Sequence, residues 1–168
     1  MAAAGSELPG PDPVAVYLEQ HGISSAQLQQ EQPQAYAQLT LPLAQVLVSL
    51  LAASSGLRLH DSKLRPADLA ARLVFLSFEA GLPPQDIQRI YGRQPGNLHF
   101  ETKTAQAALQ WLRRQSLPAA FGRKIAAARP SVWYTGVEML QSTKNGYHAA
   151  LRLVGIRLGG LGEHQAFT

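Results

Sequence analysis

Residues 73–92 read Leu-Val-Phe-Leu-Ser-Phe-Glu-Ala-Gly-Leu-Pro-Pro-Gln-Asp-Ile-Gln-Arg-Ile-Tyr-Gly. The punctuation of this stretch decides how the chain is read. A helix that starts at Pro66 carries Leu69, Leu73, Leu76 and Ala80 on one stripe and runs to about Glu79. Gly81 stops it, because glycine enters the left-handed conformation without a steric penalty. Pro83 and Pro84 restart a short helix, Gln85 to Tyr91, which Gly92 ends. Two helices joined by so tight a turn must cross steeply, and small or apolar residues must meet where they touch. Ser77 lies at the close-contact position four residues before Gly81. Leu76, Ala80, Leu82, Ile87 and Ile90 are placed to lock the pair together.

This arrangement resembles the helix-turn-helix of bacterial transcription regulators, over residues 73–92 and no further. In that family the second helix enters the major groove of DNA. The resemblance therefore implies a DNA-binding protein in which Gln85, Gln88 and Arg89, with Arg93 just beyond, face the bases. Gln and Arg are the side chains able to contact adenine and guanine edges through two hydrogen bonds at once. Two prolines open the candidate reading helix, and Asp86 would meet phosphate unfavourably unless it caps its own helix. The same glycine and apolar spacing also serves any helical corner in a bundle.

Charge points the same way. The 168 residues carry a net charge of +4, unevenly spread. Residues 1–57 hold four acids (Glu7, Asp12, Glu19, Glu31) and no Lys or Arg, while the remainder holds fifteen basic and seven acidic residues. Residues 102–137 contain Lys103, Arg113, Arg114, Arg123, Lys124 and Arg129 and no acid. A field of one sign favours a polyanionic partner. Trp111 and Phe121 are interleaved with these cations and suit base stacking, or else a core ringed by the stems of the arginines.

Around this centre the expected fold is mainly α, a compact multi-helix domain with a helix-turn-helix-like corner. Residues 1–12 read as a flexible tail and 161–168 as a loose one. Residues 13–160 form a single helical domain, acidic and apolar over 13–57 and basic over 58–160. Short helices are expected at Val14 to His21 and, after a Ser24 or Ser25 cap, over Ala26 to Leu39, where Pro33 leaves one broken helix or two pieces. Leu41 to Ala53 is apolar nearly all round and should lie at the centre, closed by Gly56. A polar connector, Arg58 to Arg65, follows it. The cluster Arg93 to Asn97 is a turn. Thr102 can cap a helix from Lys103 to about Gln115, and a shorter helix spans Ala119 to Ala128 until Pro130. A small C-terminal hairpin, 132–141 with 147–157 about Asn145-Gly146, competes with a helix over 147–158.

Catalytic patterns are missing. His21, His60, His99, His148 and His164 are scattered, and His60-Asp61 lacks companions for a metal. Ser54-Ser55-Gly56 has no nucleophile-elbow context, and Gly159 to Gly162 has no phosphate-loop lysine. There is no cysteine. No enzyme activity, metal or cofactor is expected. The N-terminal segment lacks the charge and apolar core of a signal peptide, and the run from Leu39 is too polar to span a bilayer. The expectation is a cytoplasmic protein with a nucleic-acid partner, DNA ahead of RNA, no membrane partner, and assembly as a homo-oligomer through the acidic third. A regulator or accessory factor comes first. A coat or nucleocapsid-type protein and a helical adaptor binding protein are the alternatives.

Overall fold

The computed structural model describes residues 9–55, 64–114, 121–128 and 130–134. Among the described residues the structure is helical, with no strand. The first helix, α1 (Pro13–Gln20), begins where Asp12 Oδ1 accepts from the Val14 amide at 3.0 Å. The other oxygen of Asp12 accepts from the Tyr36 hydroxyl at 2.7 Å. Partial burial, then this bond to a carboxylate, push the Tyr36 phenol up to about 12. Asp12, at the end of the expected tail, is thus a cap and an anchor; residues 1–8 of that tail lie outside the described residues.

Ser24 Oγ accepts from the Gln27 amide and starts α2 (Ser25–Glu31). Pro33 separates it from α3 (Pro33–Gln38), so the Gln-rich stretch is two pieces. The next helix, α4 (Leu41–Ser55), buries Leu43, Ala44, Leu47 and Leu50 and packs on α1 and on two helices of the basic part, α5 (Pro66–Val74) and α6 (Pro84–Tyr91). Its apolar circumference has the central use its composition suggested. The acidic and basic parts therefore share one core, continuous from Val14 to Trp133.

Beyond α6 come a 3₁₀ turn (Pro95–Leu98), α7 (Thr102–Arg114), α8 (Phe121–Ala128) and a second 3₁₀ turn (Pro130–Tyr134). Two expectations are corrected here. Thr102 is the first residue of its helix and not the cap; the Glu101 carbonyl already accepts from the Ala105 amide. Residues 132–134, which the hairpin alternative puts in its first strand, belong to the second 3₁₀ turn. The physical reason is burial. Trp133 is fully enclosed, edge-on to Phe75 with ring centroids 5.3 Å apart, and its indole N–H donates to the Tyr91 hydroxyl. That core contact outweighs the strand preference of an aromatic side chain. The rest of the hairpin, the alternative helix over 147–158, Gly56, most of the connector after it, and the tail 161–168 lie outside the described residues.

Candidate nucleic-acid interface

The corner is built as its residues require, with one local change. After α5 the helix continues for five residues, Phe75–Glu79, as a π-turn, in which the Ala80 amide donates to the Phe75 carbonyl at 3.0 Å. Gly81 follows at φ +75°, and the Leu82 amide reaches back to the Leu76 carbonyl at 2.9 Å. This is a glycine-closed helix end widened by one residue, as the wider π-turn dictates. Leu76, Ala80, Leu82 and Ile87 are buried, Ile90 packs against the core, and Ser77 is half-buried. The prolines turn out to suit the start of α6. The Pro83 carbonyl accepts from the Asp86 and Ile87 amides, and Pro84 lies at the first turn, where a missing N–H costs nothing.

The inner face of α6 is held firmly. Ile87 and Tyr91 are buried, and the Tyr91 hydroxyl donates to the Pro130 carbonyl while accepting from Trp133. Burial raises the Tyr91 phenol far above its ordinary value. Fixing Ile87 and Tyr91 inward leaves Gln85 and Arg89 exposed on the outer side, with Arg93 exposed just past the end.

Gln88 does not join them. It is half-buried and its Oε1 is enclosed without a hydrogen-bond partner. Its amide folds over Gly92, so that a Cβ placed at Gly92 would lie 2.8 Å from Gln88 Nε2 and 2.4 Å from the Gln88 carbonyl. The expectation that Gln88 faces solvent is corrected: the absence of a side chain at Gly92 gives it a place to fold.

Asp86 makes no cap for α6. Its Oδ2 accepts from Arg123 at 2.9 Å and its Oδ1 from Arg89 at 3.3 Å. The Arg123 guanidinium, assisted by Arg89, holds the Asp86 carboxyl below the usual carboxylate range. Arg123 comes from α8, whose Ile125 and Ala126 are buried while Arg123 and Lys124 are exposed. A second junction forms at Glu79. Arg113 of α7 donates to its carbonyl at 2.7 Å, and Gln106, two turns earlier, donates to its carboxylate at 2.9 Å. The structure thus brings Arg89, Arg113 and Arg123, from three helices, to the corner spanning residues 79–89. Arg114 and Lys103 are exposed on α7, but no contact draws Lys103 to the corner. Trp111 packs partly against the core, as the arginine-ringed reading expected. The Phe121 side chain lies outside the described residues.

Two residues of this face were missed in the sequence. Glu79 was read only as a helix end. Phe78 was given no role, yet it stands 54% exposed in the π-turn. A turn one residue wider changes which side chains face outward, and that choice is made by packing against distant elements.

Among the described residues no group of three or more His, Asp or Glu side chains could hold a metal ion, and no helix is long and apolar enough to cross a membrane. Comparison with protein families, curated proteins and solved structures finds no match.

Proposed function

We propose that this chain binds nucleic acid, DNA ahead of RNA, through the face made by α6, the Glu79 corner and α8, in the manner of a helix-turn-helix regulator or accessory factor. The observation that carries this reading is the convergence of Arg89, Arg113 and Arg123 from three helices beside the exposed polar side of α6. Residues 79–128 hold seven basic and three acidic side chains, so the field there is positive. Such a field binds phosphate and steers association.

The test is a fluorescence-anisotropy titration with random-sequence duplex DNA, single-stranded DNA and RNA at several salt concentrations. Wild-type affinity is expected to fall steeply with salt. Arg114→Ala with Lys124→Ala is expected to weaken binding to every sequence and flatten the salt slope by about 1–2. No binding at low salt would falsify the reading.

A second reading, assembly on nucleic acid without sequence readout, draws on a specific feature. Gln88 is folded away and Arg89 is tethered to Asp86, which leaves Gln85 and Arg93 as the untethered polar side chains of the sequence-predicted reading set on α6 and just past it. Large particles in light scattering on mixing with nucleic acid would favour it over a regulator.

A further inference from the structure

Asp86 stands in the middle of the proposed face with the wrong charge for it. Its two oxygens are divided between two arginines of different helices, Arg89 on α6 and Arg123 on α8. The arginine side chains are 69% and 50% exposed, whereas that of Asp86 is 23% exposed. The guanidinium groups therefore cover the carboxylate while remaining open to solvent on their other edges. Ion pairs this exposed add little to folding. Nor is the pair what seats α8, since Ile125 and Ala126 are already in the core.

A backbone phosphate presents to a guanidinium much what a carboxylate presents: a single negative charge shared by two oxygens at similar spacing. We propose that Asp86 is an internal stand-in for phosphate, occupying Arg89 and Arg123 until a nucleic-acid backbone displaces it. The inference rests on the nucleic-acid reading above and adds a control to it. Two of the three cations gathered at the corner are released only to a polyanion that competes with Asp86. Single anions at low concentration lose that competition. A backbone offering several phosphates at once wins it, because Arg113 and the neighbouring cations add their share. Attachment of single small anions is thereby suppressed relative to that of a polyanion, which is how an unfavourable contact generates selectivity.

The experiment compares wild type, Asp86→Asn, Asp86→Ser and Glu101→Gln on the same random-sequence duplex, each with and without Arg123→Gln. Glu101, an exposed acid at the start of α7, controls for the loss of one negative charge at large. Asp86→Asn and Asp86→Ser are expected to tighten binding about tenfold at low salt and to steepen the salt slope by about 1–2, against about twofold for Glu101→Gln. Arg123→Gln is expected to weaken binding about twofold in the wild-type background and about tenfold beside Asp86→Asn, because only there is the guanidinium released. Thermal melts of each variant separate these effects from loss of fold. If wild type binds with a steep salt slope but the Asp86 variants match Glu101→Gln, or if the Arg123→Gln penalty is equal in both backgrounds, the stand-in role is overturned and the nucleic-acid reading survives. If neither wild type nor the Asp86 variants bind any nucleic acid, both fall together.

Discussion

Gly81 is the residue on which the corner turns. Its φ of +75° lies in the left-handed region, and nothing stands within 4 Å of where a Cβ would be. A side chain there would meet no neighbour, so its cost is conformational alone. Gly81→Ala is expected to destabilise the protein by about 1–2 kcal/mol, and Gly81→Asn by less, in urea unfolding monitored by circular dichroism. Equal stability of all three proteins would show that the turn relaxes to another conformation. This residue was legible in the sequence because the chemistry is local: a glycine, a small residue four before it and apolar neighbours at fixed spacing. Asp86 was not. Its partner Arg123 lies 37 positions away, and no pattern within α6 announces it. Gln88 was misread although its neighbour is close, since its side chain folds over the bare backbone of Gly92 four residues on and its Oε1 is enclosed.

Between the ordinary helix α5 and the corner, the π-turn sorts two phenylalanines three residues apart. Phe75 is buried against Phe100 and Trp133, while Phe78 is largely in solvent. Phe75→Ala is expected to cost about 3–5 kcal/mol, and Phe78→Ala under about 1 kcal/mol, both read from thermal or urea unfolding. Similar losses for the two would mean that Phe78 is covered and the turn is not π. Helix existence and order were largely legible, because proline, glycine and serine mark ends by their own backbone chemistry. Pro13, Ser24, Pro33 and Pro66 each stand where a helix begins. The width of a turn and the fold of 130–134 were not, because packing decided them. Trp133 and Tyr134 have strand preferences that the Phe75–Tyr91–Trp133 contacts override.

Over the whole molecule, the charge boundary near residue 57 does not coincide with a structural boundary. Helix α4 belongs to the acidic part by sequence and to the basic part by contact, since it packs directly on α5 and α6. Leu47, fully buried at its centre, tests this. Leu47→Ala is expected to cost about 2–5 kcal/mol and to lower a single shared unfolding transition. Two separate transitions in calorimetry would show instead that the parts fold independently. The division of charge is thus a property of the surface laid over one interior. Among the described residues the acidic third is thus no separate body, since its helices share the interior of the basic part.

The chain has two tryptophans, and the fold places them in unlike surroundings. Trp133 is sealed in the core against Tyr91, whereas Trp111 rides half-covered on α7, the helix that also carries Arg113 and Arg114. Their emission should therefore separate by colour, the sealed indole blue and resistant to iodide, the half-covered one redder and open to it. The protein carries its own pair of lamps: one is expected to report whether α6 is still seated, and the other to darken if nucleic acid settles on the basic side.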